Sequence, residues 1–169
     1  MFLATTCTAC RTERLQKFAA IRFMDKKTVP NDILIPEIGK LLAEGREVEL
    51  RPKGNSMLPF IRQEKDSVVL LKKDNVEVGD IVLARTGGRF VLHRVYQVAG
   101  TALTLMGDGN VFGTESCTKE DVLGTVIKII RPGGKNVIPS KGKLWKALRP
   151  VRRYLLAFYR RIWTRICHR

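Results

Sequence analysis

No stretch of the 169-residue chain reaches the roughly 18 to 20 uninterrupted apolar residues that a membrane-crossing helix needs, so a bilayer-spanning protein is excluded. Cysteine is scarce. Cys7, Cys10, Cys117 and Cys167 are too few and too unevenly spaced for a disulfide framework. Cys7-x-x-Cys10 has metal-knuckle spacing, yet no second Cys pair or His pair completes a zinc site, and no metal or other cofactor is expected. Histidine is scarcer still, with His93 mid-chain and His168 in the extreme tail. There is no internal repeat and no low-complexity tract. The apolar start breaks at Thr5, Thr6 and Arg11 and is a poor secretory signal; Met24 is an alternative start, with residues 1–23 then an overextended reading of the gene.

Acidic residues are also missing from one end. Residues 141–169 carry ten Lys or Arg and no acid, whereas residues 24–140 are nearly neutral, so the net charge of +15 is concentrated at the termini. The length suits one domain with appendages. The expected division is an N-terminal extension (1–30), a folded domain (31–135) and a basic helical tail (141–169).

Asn31 or Asp32 can cap a helix in which Ile35, Ile38, Leu41 and Leu42 recur at helical spacing, ending near Gly45. From Glu47 the pattern alternates, with Val48 and Leu50 on one face, and predicts a half-buried strand leading to Gly54 and Ser56. Further strands are predicted over 67–71, 80–84, 89–98, 102–106 and 122–130, with Gly87-Gly88 and Gly100-Thr101 as turns. Short strands joined by glycine turns point to a mainly β, antiparallel domain curled into a partial barrel. Pro132-Gly133-Gly134 is read as the end of that domain. Beyond Lys141, Leu144, Leu148, Val151, Leu155, Phe158 or Tyr159, Ile162 and Ile166 recur every three or four residues among Lys and Arg. This is a basic amphipathic helix, interrupted near Pro150.

Trp145, Tyr154, Tyr159 and Trp163 near the apolar stripe suit a membrane interface. An anionic membrane surface is therefore the first expected partner of residues 141–169, ahead of packing on the same domain or on a second copy. Nucleic acid comes last.

The residues that can carry chemistry are Ser56 on a glycine-introduced turn, His93 and the glycine-flanked Asp108. A serine hydroxyl needs a base to become a nucleophile, and a neutral imidazole suits that work near pH 7. A carboxylate such as Asp108 can orient the imidazole. Each residue alone reads more readily as an ordinary turn or a structural strand residue.

Taken together they form a pattern. Gly54-Asn55-Ser56-Met57-Leu58-Pro59, Asp66-Ser67-Val68, Val78-Gly79-Asp80-Ile81-Val82, Leu92-His93-Arg94-Val95, Gly107-Asp108-Gly109-Asn110 and Leu123-Gly124-Thr125-Val126 follow in order. That order resembles the signal-peptidase and LexA-like serine peptidase superfamily (S24/S26) over about residues 46–131. The resemblance implies a coiled β-sheet domain and a serine endopeptidase with Ser56 as nucleophile. The bacterial leader-peptidase and LexA-like branches use a lysine base, whereas His93 here is similar to the Ser/His signal-peptidase branch (S26B-like). Asp108 matches that branch's aspartate, and Glu115 lies near where a second acid is usual. Some leader peptidases add an oxyanion-stabilising serine where this chain has Gly54.

The resemblance implies a peptide or protein precursor as substrate, with small side chains flanking the scissile bond. With no membrane-crossing helix, the expected location is cytoplasmic or peripheral to the cytoplasmic membrane. Two alternatives are a non-catalytic peptide-binding module of the same fold and a self-cleaving LexA-like regulator. The regulator is disfavoured because about 30 residues before the first predicted helix leave no room for a helix-turn-helix domain.

Overall fold

The computed structural model describes residues 31–148 and 150–167. Helix α1 (Asn31–Ala43) leads into strands β1 (Val48–Leu50), β2 (Ser67–Leu71), β3 (Ile81–Thr86), β4 (Arg89–Ala99), β5 (Ala102–Met106), β6 (Glu115–Thr118), β7 (Val122–Ile130) and β8 (Asn136–Val137); helices α2 (Lys143–Ala147) and α3 (Arg152–Cys167) follow. The strands form one antiparallel sheet in the order β1-β2-β7-β3-β4-β5-β6, with β8 added to β7. It curls into a half-barrel, so the mainly β reading holds.

Alternation along β4 separates two cores, because successive strand side chains point to opposite faces. Phe90 and Leu92 face a core built with Ile35, Ile38 and Leu42 of α1, while Val91 and Val95 face a second core with Val82 and Leu105. Helix α1 lies close on the sheet at Gly124, where a Cβ would come within 2.9 Å of the Leu42 side chain.

Gly87 and Gly88 join β3 to β4 with φ of 53° and 76°, the positive pair that a two-residue hairpin turn requires. Two features differ from the sequence reading, and a third agrees with it. Pro132-Gly133-Gly134 does not end the sheet but turns β7 into β8, whose Asn136 pairs with Ile130. Strand β6 was not foreseen, since four polar-rich residues at a sheet edge carry no apolar run. The tail breaks into α2 and α3 on either side of residues 148–151, close to the expected interruption. The Cys7-x-x-Cys10 motif and the possible start at Met24 lie outside the described residues.

Candidate active site

Ser56 sits in the turn between β1 and β2. The chain enters it through Gly54, whose φ of 96° favours glycine and whose N–H donates to Gln63 Oε1 at 3.1 Å. Met57 and Ile61 then plunge into the first core and pin the far side of the turn. A cleft of about 140 Å³ opens here, lined by Ser56, Met57, Ile61, Phe90, Leu92 and His93 among others, with Lys53 at the same wall. The structure therefore brings Ser56 and His93 to one cleft. No hydrogen bond joins their side chains among the described residues.

His93 is buried on β4, opposite Val82 of β3. Its Nδ1 lies 3.4 Å from Oε2 of Glu115, whose Oε1 accepts a 2.6 Å bond from Arg89. The His93 contact has ion-pair distance without hydrogen-bond alignment, for His93 Nδ1 and Glu115 Oε2 are both buried without a hydrogen-bond partner. Glu115 arrives through β6: it pairs with Leu105, which pairs with Val95, and Val95 shares a sheet face with His93. Burial holds the His93 pKa below its ordinary 6.5, with Glu115 opposing and Arg89 reinforcing that shift. The imidazole is thus neutral at pH 7.

Asp108 is placed differently. Its carboxylate takes a bidentate ion pair from Arg94, with Nε–Oδ1 at 2.9 Å and a second nitrogen to Oδ2 at 2.7 Å, both groups buried. The carboxylate in contact with His93 Nδ1 is that of Glu115. Arg94 further donates to the carbonyls of Gly79 at 2.7 Å and Ser140 at 2.5 Å, and its guanidinium lies 5.2 Å from the Phe60 ring centre. The Asp108 loop also braces the serine turn. Gly109 N–H donates to Ser56 O at 2.6 Å, and a Cβ on Gly107 would come within 2.6 Å of that same oxygen. Glycine is needed at both positions for so close an approach, since a Cβ on Gly109 would meet Asn55 O at 2.5 Å.

The tail grips this loop from behind. Trp145 Nε1 donates to Asp108 O at 3.0 Å and its ring meets Phe60 edge-on at 5.6 Å, while Arg152 donates to the carbonyls of Gly107 and Asp108. Trp145 consequently belongs to the domain's own packing, unlike the interfacial role its spacing suggested; Tyr154 is exposed. Arg94, Trp145 and Arg152 were not identified as site-supporting residues from sequence. Their signal is tertiary, and only the Leu-His-Arg-Val motif marked Arg94 at all.

The curled antiparallel β half-barrel is the fold of the S24-like peptidase and LexA-like class. The family model described as Peptidase S24-like matches residues 21–127, and the chain belongs to that family. No curated protein matches the chain. Among the described residues no group of His, Cys, Asp and Glu could hold a metal ion, and no helix is long and apolar enough to cross a membrane.

Proposed function

We propose that the protein is a serine endopeptidase of signal-peptidase type, working through Ser56 and His93 on a precursor or membrane-proximal protein. The observation that carries this reading is the shared cleft of Ser56 and His93, with a carboxylate behind the imidazole. With Nδ1 turned to Glu115, Nε2 is the nitrogen that serves Ser56. Ser56 Oγ attacks the scissile carbonyl carbon as His93 takes its proton. The tetrahedral oxyanion collapses to an acyl-enzyme as His93 passes that proton to the leaving amine. Water, deprotonated by His93, then hydrolyses the ester and restores Ser56.

Backbone N–H groups of Ser56 and Met57 donate to no acceptor among the described residues, which suits them to an oxyanion. Such donors contribute about 3 kcal/mol each to the transition state. Glu115 orients the imidazole and favours its charged form during attack. Asp108 acts at one remove, holding the loop that braces Ser56 O. A cleft this small, of about 140 Å³ and walled by Met57, Ile61, Phe90 and Leu92 as well as by polar groups, supports a preference for small side chains beside the scissile bond. A histidine base favours the Ser/His signal-peptidase branch over a lysine-dependent repressor.

The test is intact-mass analysis after treatment with serine-directed fluorophosphonates, on the wild type, Ser56→Ala and His93→Ala. An adduct on Ser56 that depends on His93 is expected. Absence of any adduct on a folded wild type, across several probes, would instead support a non-catalytic binding module.

A further inference from the structure

Helix α3 turns one face to the domain and leaves an apolar stripe uncovered. Arg152 and Leu156, four residues apart, are buried at 4% and 1% exposure. Val151 at the helix entry, Leu155, Phe158 and Ile162 recur at spacings of four, three and four, and lie roughly 100° around the helix from that anchor. All four are exposed, from 41% for Leu155 and Ile162 to 67% for Phe158. Exposed Tyr154 and Arg161 border the stripe on the side away from the anchor.

We propose that this stripe docks on the surface of an anionic phospholipid bilayer, with α3 lying in the interface plane. Charge complementarity selects the occupant. The tail from 141 to 169 has ten Lys or Arg and no acid, so a second copy seated on the stripe would set two strongly cationic tails against each other. An anionic bilayer offers an extended negative surface with an apolar layer a few ångströms beneath, which matches an apolar stripe bordered by Arg161 and an aromatic ring on a tail with no acid. The anchor makes the docking directional. Because Arg152 holds the carbonyls of Gly107 and Asp108, and Gly109 bonds Ser56 O, a docked α3 sets the serine turn at a fixed height above the lipid. Joined to the peptidase reading, on which this last consequence alone rests, the substrate is a peptide bond close to the membrane surface.

The experiment is vesicle flotation of the full chain with phosphatidylglycerol-containing and pure phosphatidylcholine vesicles, on the wild type and a Leu155→Glu/Phe158→Glu variant. Wild type is expected on the anionic vesicles and not on the neutral ones, with binding weakened at high salt. The double variant is expected to lose at least about tenfold in partitioning, since it removes two large apolar side chains from the interface. A thermal melt checks the fold, and Leu155→Ser/Phe158→Ser serves if the charged pair perturbs it. No binding to anionic vesicles overturns the proposal. So does binding that both variants leave unchanged, or a wild-type dimer that the variants disperse, which would assign the stripe to a second copy. Stronger salt-sensitive retention on duplex DNA than on vesicles, indifferent to the stripe, overturns it as well. Fluorophosphonate labelling of Ser56 without vesicles is expected to be the same in all these proteins, so failure of the docking and failure of the peptidase reading remain distinguishable.

Discussion

On β4, His93 and Arg94 follow one another and, because strand side chains alternate between faces, enter two different environments. His93 meets a carboxylate loosely: Glu115 is 3.4 Å away without hydrogen-bond alignment, and the imidazole is neutral and able to accept a proton. Arg94 meets a carboxylate tightly, through a bidentate pair that is itself surrounded by carbonyl acceptors. The loose pair can change protonation state during a reaction without breaking the structure. The tight pair cannot, because either partner left alone would be a buried uncompensated charge. On the proposed peptidase reading, chemistry and support fall to adjacent residues on opposite sides of one strand.

The largest expected effect is on the chemical side. Ser56→Ala and His93→Ala should each lower fluorophosphonate labelling and peptide cleavage by about 10⁴-fold or more with little change in the urea midpoint. Next comes the supporting side. Arg94→Met strands buried Asp108 and should cost about 3–5 kcal/mol in urea unfolding. Pairing it with Asp108→Leu should recover part of that loss. Asp108→Asn, if folded, should keep most of its labelling; a loss as complete as that of His93→Ala would place Asp108 in the chemistry.

Glu115→Gln should slow labelling by about 10²-fold, less than the 10⁴ seen when a fully hydrogen-bonded triad acid is changed, because its contact with His93 is unaligned. The smallest effect is the pH profile. Labelling should rise with pH and level off as His93 loses its proton, with a midpoint below 6.5, since burial lowers its pKa. In Glu115→Gln the midpoint should fall further, because Glu115 opposes that shift. A wild-type midpoint above 6.5 would show that the imidazole is not held neutral by burial. The same depressed pKa implies stability that is present above the unfolded value near 6.5 and lost as pH falls from there through the folded one, the unfolded chain binding the extra proton.

Much of this arrangement was legible along the chain. The strands at 67–71, 102–106 and 122–130 were read at their observed bounds because alternation and glycine turns are local signals. Ser56 and His93 were marked by a glycine-introduced turn and by the scarcity of histidine. Glu115 was only a neighbour of interest, for its strand has no apolar pattern and its place beside His93 depends on β6 adding to β5 in one register. Asp108 carried a clear motif, but a motif cannot say which of two adjacent side chains, His93 or Arg94, its carboxylate faces. In the tail, periodicity announced an amphipathic helix and could not separate the buried positions, Arg152 and Leu156, from the exposed stripe one residue before each.

The sequence by itself determined the curled β class, the serine, the histidine and the basic character of the tail, because periodicity, turn chemistry and charge are properties of neighbours along the chain. Only the tertiary structure decided that Glu115 rather than Asp108 touches the imidazole, that Arg94 and Arg152 brace the loop behind Ser56, and which face of α3 stays uncovered. Those are contacts between residues far apart along the chain, 45 positions in the case of Arg152 with Gly107, and strand register and helix docking set them.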